Sequence, residues 1–416
     1  MLIEKYSLGI GDRYGHQGTA QLKALACAKE DGVSIVPVWN KSKREHSLIG
    51  SSPKDARREA DNAVKELGWK DSYYIDADHI GIKTVDDFIQ YCNFFTIDVA
   101  DFIGEYPAEG IIKSFTDKAA HYKGEIKIPG IAKQFEITDN KINAVAKKYL
   151  VAIKEAARIY NYLVSIKGLD NFVTEVSLDE NEQPQSPEEL FFILLGLSAE
   201  NIKIQTIAPK FTGRFNKSID YVGNVNDFIR EFEDDICVIK YAVKEFSLPS
   251  NLKLSIHSGS DKFSLYKPIH NILMKHDVGV HLKTAGTTWL EEVIGLAEAG
   301  GEGTKIAKYI YEQSFNRIDE MMNPYLTVLD IDFDKLPDPL DVYNWSGEKF
   351  ANTLRHDQMN PAFNIHFRQL VHVGFKVAAE MGDRYTNGLI KYADIIAKNV
   401  TENLYSRHIK PLFLGK

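Results

Sequence analysis

Residues 73–80 read YYIDADHI, and this stretch changes abruptly from the pattern of a buried strand to polar chemistry. Aromatic and β-branched side chains at its start suit a packed, pleated strand. The acidic residues Asp76 and Asp78 and the imidazole of His79 follow at its carboxyl end. In sheets and barrels of parallel strands, ligands and catalytic groups collect at this end. An isolated Asp-His pair is more often an ordinary turn, so the interpretation depends on how the other strands end.

Six further segments have the composition of short buried strands, and helical patterns separate them. They are 6–10, 33–38, 172–176, 202–208, 252–257 and 278–283. Strands that alternate with helices at this spacing predict parallel βαβ units. At least seven strands favour a closed (β/α)8 TIM-type barrel, and an open doubly wound sheet is the alternative. Gly9 and Gly11 look like the start of a dinucleotide fingerprint, but Tyr14 occupies the place of its third glycine.

The remaining segments predict insertions into this barrel and an extension of it. Residues 84–122 have an irregular helical pattern, 123–138 suggest a β-rich insertion, and 327–331 suggest a final strand. The chain has 416 residues, well above the roughly 250 that are typical of one barrel. We therefore predict a catalytic barrel at 1–335 and a mostly helical C-terminal extension at 336–416.

Composition restricts the class of partner. A net charge of −8 argues against nucleic acid, and the longest apolar run, Leu190–Leu197, is too short to span a membrane. The three cysteines are far apart and form no CxxC motif, which suits a reducing compartment. Glu4 and Lys5 stand where a signal peptide would need an apolar core. We expect a cytoplasmic protein, and a homo-oligomer is compatible with the sequence.

Chemically active side chains end several of the predicted strands. Three histidines from three strands, His79, His257 and His281, can form a facial set for a divalent metal ion. Asp78 and Glu175 are the candidate acid and base. Three lysines can supply positive charge for an anionic group or an oxyanion, and they are Lys210, Lys262 and Lys283. Taken singly, each of these residues has a structural explanation, but their position at consecutive strand ends favours a site.

Two loops suit an anion such as a carboxylate or phosphate. Residues 258–260 are small and rich in backbone N–H groups, and residues 284–288 open a predicted helix. Ordinary loop and N-cap chemistry is the alternative explanation of both.

Several long segments resemble the tagaturonate/fructuronate epimerase family, which is metal-dependent and acts in hexuronate catabolism. The resembling segments are 11–13, 76–79, 175–177, 210–217, 257–263 and 281–286. Some relatives act on the neutral ketohexoses fructose and tagatose. Class II aldolases, which are also (β/α)8 barrels, are more distantly similar through their Asp-His pair and a His-Gly-Gly-Ser-Gly loop. Their third metal histidine has no counterpart at 209–213, so His281 is our prediction for the third ligand.

The resemblance implies a set of site residues and a cofactor. Asp78 and Glu175 would be catalytic, and His79 and His257, with His281 as our own prediction for the third ligand, would bind a divalent cation, Zn, Mn, Ni or Co. The substrate would be a small sugar or sugar acid. Its predicted binding residues are Asp12, Arg13, Lys210, Arg214, Ser258, Asp261, Lys262, Lys283 and Thr284.

The implied reaction inverts a carbon that lies two bonds from a ketone, so enolisation alone cannot perform it. Transient oxidation would need a nicotinamide, and the failed glycine fingerprint argues against that route. Retro-aldol cleavage followed by aldol addition on the other face is our hypothesis. A class II aldolase that releases its fragments and a non-catalytic sugar-acid binding protein are the alternatives. The sequence leaves open which carboxylate is the acid and which is the base.

Overall fold

Eight parallel strands close into a barrel in the computed structural model, which describes residues 1–181, 183–257, 261–284 and 286–416. The described strands are β1 (Tyr6–Ile10), β2 (Val36–Ser42), β3 (Tyr74–Ile80), β4 (Phe94–Asp98), β5 (Gly124–Ile126), β6 (Phe135–Ile137), β7 (Val173–Ser177), β8 (Thr206–Ala208), β9 (Lys253–Ile256) and β10 (Val280–Leu282). Strands β5 and β6 form a separate antiparallel hairpin, and β10 pairs with β1 to close the barrel. The predicted (β/α)8 fold is confirmed.

Helices surround the barrel and continue to the end of the chain. The α-helices among the described residues are α1 (Gly18–Glu30), α2 (Lys43–Ile49), α3 (Pro53–Leu67), α4 (Val85–Ile89), α5 (Glu109–Ala119), α6 (Asp139–Lys167), α7 (Pro187–Ala199), α8 (Val225–Glu245), α9 (Phe263–His276), α10 (Thr288–Glu298), α11 (Gly301–Asn316), α12 (Ile318–Met322), α13 (Pro339–Tyr343), α14 (Gly347–Leu354), α15 (Ile365–Val373), α16 (Phe375–Met381), α17 (Asp383–Lys391) and α18 (Ala393–Glu402). A π-helical segment, Asn403–Leu414, follows α18. Within the described parts of the chain, no helix is both long and apolar enough to cross a membrane.

The chain departs from the simple barrel pattern in two places. Helices α5 and α6 and the β5–β6 hairpin are inserted between β4 and β7, where the sequence predicts a β-rich insertion. After α10, the helices of the C-terminal part pack back on the barrel helices, with α18 and the π-helical segment against α1. The predicted division of the chain between residues 335 and 336 stays a prediction.

Two sequence-based assignments are wrong. Strand β4 lies inside the segment 84–122 that we predicted as helical, because its sequence FFTID is buried and lacks the alternation that marks a half-exposed strand. The predicted final strand at 327–331 does not form, and a 3₁₀-helix covers Asn323–Val328 instead. Short apolar runs suit either structure, so the pattern alone could not decide between them.

The barrel interior changes from apolar to charged along the strands. At the amino-terminal end, a small apolar cluster contains Ile3, Val36, Val38, Tyr74, Phe94 and Val173. Alternate residues of a strand face the same side, so the next inward positions of β3, β4 and β7 are Asp76, Thr96 and Glu175. These three side chains are joined by hydrogen bonds from the Thr96 hydroxyl. The polar end of the interior therefore coincides with the carboxyl ends of the strands.

Gly9 allows β1 and β10 to approach each other. A Cβ atom at this position would lie 1.5 Å from the backbone oxygen of Lys283, so the glycine is needed for barrel closure. We expect Gly9→Ala to lower the free energy of unfolding by about 3 kcal/mol, because two backbones must separate. Chemical denaturation measures this loss. Gly81→Ala is the matched control, since a Cβ there meets nothing within 4 Å; equal stability of the two variants would contradict the explanation.

Candidate active site

The carboxyl ends of the barrel strands surround a cavity of about 1110 Å³. Its walls come from the ends of β2, β3 and β4 and from loops that follow the other barrel strands. The C-terminal part of the chain adds His372 and residues near Tyr325. A (β/α)8 barrel places its active site at this end. We therefore take this cavity as the candidate active site.

Asp78 and His79 both line the cavity although they are consecutive residues of β3. In a regular strand, consecutive side chains face opposite sides of the sheet. Here the pairing of β3 with β4 shifts register between Ala77 and Ile80, and His79 has a φ of 50°. A bulge of this kind re-aims side chains. The bulge brings the Asp78 carboxylate and the His79 imidazole to the same side of the sheet. The sequence predicts that both groups belong to one site, but it does not reveal the bulge that makes this possible.

His79 and His257 meet at the cavity floor, with their ring centroids 5.3 Å apart. One nitrogen of each ring contacts a carboxylate: His79 Nδ1 lies 2.8 Å from Asp98, and His257 Nε2 lies 2.9 Å from Glu175. The other nitrogen of His257, Nδ1, lies 3.0 Å from Asp179. This second contact lacks hydrogen-bond alignment, and Nδ1 has no hydrogen-bond partner among the described residues. Burial lowers the pKa of His257, but Asp179 and Glu175 outweigh burial and raise it to about 9.

These side chains fit a divalent cation. His79, His257 and Asp179 each offer one ligand atom, and the three atoms lie within 4.8 Å of one another. Two imidazoles and a carboxylate suit a transition metal such as zinc. The short, unaligned contact between His257 and Asp179 is the arrangement expected of two ligands that share one ion. A second set, His79 with Asp98 and Glu180, also has the spacing, but it is more exposed and contains a single imidazole.

The structure does not bring His281 to this group. Its ring lies deeper in the barrel, with Nδ1 2.9 Å from the Ser7 hydroxyl and its centroid 5.3 Å from that of Phe94. Burial lowers the pKa of His281 to about 3. A step of two residues along a strand moves a side chain by about 6.6 Å, which separates His281 from the strand ends. Asp179 therefore replaces His281 as the third candidate ligand.

Lys283 lies beneath the histidines and is buried among three carboxylates. Its Nζ lies 3.1 Å from Asp78 and 3.2 Å from Glu175, and it also donates to Asp76 and Thr96. Burial disfavours the charged amine, but these carboxylates raise the pKa of Lys283 above its ordinary value. Burial raises the pKa of Asp76 to about 7 although Lys283 opposes this shift. Lys283 also lines the cavity, so its predicted role in binding substrate stays a prediction, although three carboxylates already balance its charge.

The two predicted catalytic carboxylates differ in their access to the cavity. The side chain of Asp78 is 14% exposed and lines the cavity, with Oδ1 3.7 Å from Nε2 of His79. The side chain of Glu175 is 0% exposed and lies behind His257. Burial raises the pKa of Glu175, but Lys283 and His257 outweigh it and hold this pKa well below its usual range. Asp78 can therefore touch a ligand directly, whereas Glu175 acts on His257.

Six predicted substrate-binding residues line the cavity: Asp12, Arg13, Lys210, Arg214, Lys283 and Thr284. Not all of them are available to a ligand. The Asp12 carboxylate accepts hydrogen bonds from the backbone N–H groups of Tyr14 and Gln17, so it shapes its own loop. The Arg214 guanidinium lies 3.0 Å from Asp330.

Asp261 and Lys262 do not line the cavity, so their predicted role in binding substrate is corrected. Lys262 donates to two backbone carbonyl groups in the segment 216–219, and burial lowers its pKa to about 7. Asp261 is fully buried and joins the barrel to the C-terminal part through Arg368 (2.6 Å), His356 (3.0 Å) and His408 (3.1 Å). Ser258, also predicted to bind substrate, lies outside the described residues.

Four residues that contact Lys283 or the two histidines were not among the predicted site residues: Asp76, Thr96, Asp98 and Asp179. Thr96 and Asp98 belong to β4, so they were lost with that strand. Asp179 follows the end of β7 and carries the same signal as the other strand-end groups. A count of every acidic residue within two positions of a strand end would have found it.

Comparisons with known proteins give the family of this chain and agree with its fold. The model of the UxaE family, described as tagaturonate epimerase, matches residues 1–412. The tagaturonate/fructuronate epimerase of Thermotoga maritima is 26% identical over 424 residues, which cover 97% of this chain and 80% of that protein. A glycerol-bound crystal structure of the fructuronate-tagaturonate epimerase UxaE from Cohnella laeviribosi superimposes with a TM-score of 0.81 at 22% identity, over 99% of this chain and 82% of that one. The native crystal structure of that enzyme gives a TM-score of 0.78 at 21% identity over the same shares.

Proposed function

The chain belongs to the tagaturonate epimerase family, and from this membership we propose that it is the isomerase that interconverts tagaturonate and fructuronate. The relative from Thermotoga maritima bears both compounds in its name. One observation supports the proposal most: Asp78 lies beside the group of His79, His257 and Asp179 at the floor of the barrel cavity. This places a proton carrier next to a candidate cation site.

Retro-aldol chemistry is the route that we propose. The inverted carbon lies two bonds from the ketone, so its C–H bond is not acidified by the carbonyl group. Cleavage of the neighbouring C–C bond gives an enediolate and an aldehyde that keeps the carboxylate. Addition to the other face of that aldehyde then inverts the carbon. The alternative, transient oxidation, is disfavoured because Tyr14 interrupts the glycine fingerprint that a nicotinamide would need.

Each residue of the site has a distinct task in this proposal. When bound at His79, His257 and Asp179, a divalent cation would supply Lewis-acid stabilisation of negative charge at the ketone end. Asp78 takes the proton from the hydroxyl group of the inverting carbon. Burial raises the pKa of Asp78, but Lys283 and His79 outweigh it and lower this pKa, so the carboxylate is ionised and can accept a proton.

Glu175 and Asp98 hold the two histidines in orientation. Each carboxylate contacts one imidazole nitrogen and leaves the other nitrogen for a ligand. Such partners fix the ring and the tautomer of a metal-binding histidine. The group that returns a proton on the other face must line the cavity, which Glu175 does not do. Glu180 does line it, and we propose Glu180 for that step.

Incubation of the purified protein with tagaturonate and a series of divalent metals tests the proposed function. NMR in deuterated water monitors the reaction. We expect fructuronate to appear, with no deuterium on the inverted carbon. Deuterium at that carbon would contradict the retro-aldol route. Free three-carbon products would indicate an aldolase, and saturable binding without turnover would indicate a binding protein.

Asp78→Asn and Glu175→Gln should impair different properties of the enzyme: the first lowers turnover and the second lowers metal affinity. Asp78→Asn is expected to lower kcat by about 10²–10⁴-fold and to leave metal content unchanged, because it removes a proton carrier. Glu175→Gln is expected to lower metal affinity by about 10–100-fold, with activity largely restored by excess metal. Steady-state kinetics and metal analysis after dialysis separate the two. Full activity of Asp78→Asn would remove Asp78 from the mechanism.

A further inference from the structure

The active-site cavity is lined by both acidic and basic side chains. The acidic residues Asp78, Asp98, Asp179 and Glu180 gather around the two histidines. The lining also includes three cations and an imidazole, which we call the basic wall: Arg13, Arg44, Lys217 and His372. Glu45 is the carboxylate that accompanies them, 3.3 Å from Nε of Arg13. A ligand that fills the cavity therefore meets side chains of both charges.

Lys217 is the central cation of the basic wall. Burial lowers its pKa, and the guanidinium groups of Arg13 and Arg44 lower it further, while Glu45 and Glu180 act in the opposite direction. No carboxylate of the described residues lies within ion-pair distance of its ammonium group. Like charges held close together without a counter-ion are unfavourable. A bound anion would relieve this repulsion.

The neighbours of Lys217 are oriented by stacking and burial. The Arg13 guanidinium lies 4.3 Å from the centroid of the Phe375 ring, and that of Arg44 lies 5.0 Å from the centroid of the Tyr325 ring. Stacked guanidinium groups keep their N–H edges available for a carboxylate. His372 is buried, and its Nδ1 has no hydrogen-bond partner among the described residues. Burial, and then Arg13 and Lys217, hold the pKa of His372 well below its usual range, so the ring is neutral.

We propose that Lys217, Arg13 and His372 form the subsite that binds the carboxylate of the sugar acid. This inference rests on the proposed function, in which the ketone end of the substrate lies at His79 and His257. The subsite replaces Lys283, whose charge is balanced by three buried carboxylates. Arg44 lies at the exposed edge of the basic wall and adds charge there.

A carboxylate subsite has a consequence for the reaction as well as for affinity. After C–C cleavage the carboxylate remains on the aldehyde fragment. A subsite that holds this group keeps the fragment in the cavity while its other face turns toward the enediolate. Loss of the subsite should therefore release two fragments. One is the three-carbon ketone that forms when the enediolate is protonated, and the other is the three-carbon aldehyde that carries the carboxylate.

Lys217→Met tests the proposal directly. We expect kcat/KM for tagaturonate to fall by about 100-fold, mainly through KM, because a charge-assisted contact is lost. The rate for neutral tagatose should change less than threefold, and free fragments should appear in the tagaturonate reaction. Lys203→Met is the matched control, since Lys203 contacts Asp170 away from the cavity. Thermal unfolding confirms that both variants are folded.

Lys210→Met separates this subsite from the one predicted by sequence, because Lys210 also lines the cavity. The proposal is overturned if Lys210→Met loses tagaturonate activity while Lys217→Met behaves like Lys203→Met. If the wild-type protein does not convert tagaturonate, the proposed function fails. Calorimetric titration of tagaturonate into wild type and Lys217→Met then tests the subsite alone: weaker binding by the variant supports it, and equal binding overturns it.

Discussion

Asp179→Asn is expected to lower the affinity for a divalent cation by at least about 100-fold and to abolish detectable epimerase activity. The asparagine keeps the shape of the side chain but removes the negative charge of a candidate ligand that lies 3.0 Å from His257 Nδ1. Carboxylates and imidazoles bind such metals directly, so the loss of one ligand of three is severe. Metal analysis after dialysis and calorimetric titration with zinc or manganese measure the effect.

Glu180→Gln is the informative comparison for Asp179→Asn. The alternative ligand set, His79 with Asp98 and Glu180, predicts that Glu180→Gln lowers metal affinity more than Asp179→Asn does. We expect Glu180→Gln to change metal affinity less than tenfold, while it slows turnover by removing the proposed proton donor. If Glu180→Gln loses the metal and Asp179→Asn retains it, the ion belongs to the second set.

Lys283→Met is expected to lower the free energy of unfolding by about 3–5 kcal/mol, the cost of leaving buried charges without their partner. Asp76, Asp78 and Glu175 all lie within ion-pair distance of this amine. Their mutual repulsion is unopposed in the variant, and Asp78 would no longer be held ionised. Urea denaturation measures the stability, and the residual activity of the folded fraction measures the second effect.

Lys253→Met is the matched control for this experiment. Lys253 is also a buried barrel lysine, but it donates to the backbone carbonyl groups of Glu4 and Lys5. Its loss should cost about 1–2 kcal/mol, the usual penalty for unpaired polar groups. Adding Glu175→Gln to Lys283→Met should restore part of the lost stability, because it removes one of the uncompensated charges. A Lys283→Met protein as stable as Lys253→Met would contradict the role given to Lys283.

The sequence was sufficient to predict the barrel because strand-like runs, helical patterns and polar strand ends recur in order. It also identified Asp78, His79, Glu175 and His257, which meet around the cavity floor. Strand β4 was missed because a strand buried on both faces loses the alternation that distinguishes it from a helix segment. Asp98, the partner of His79, was lost for that reason.

The sequence could not predict how deep each side chain lies in the barrel or which way it points. His281 and Lys283 share a strand face, as the period of two predicts, but they lie at different levels of the interior. A lysine at a strand end predicts positive charge, and only the fold shows that three carboxylates already balance Lys283. Asp261 follows a metal-site motif closely in sequence, yet its carboxylate turns toward Arg368 in the C-terminal part.

A crystal structure of the metal-loaded protein, with anomalous diffraction recorded at the absorption edge of the metal, tests the central claim most directly. We predict one anomalous peak in the barrel cavity, about 2.0–2.2 Å from a nitrogen of His79, a nitrogen of His257 and an oxygen of Asp179. A peak at His281, or one that is bound by His79 but not by His257, would contradict the account.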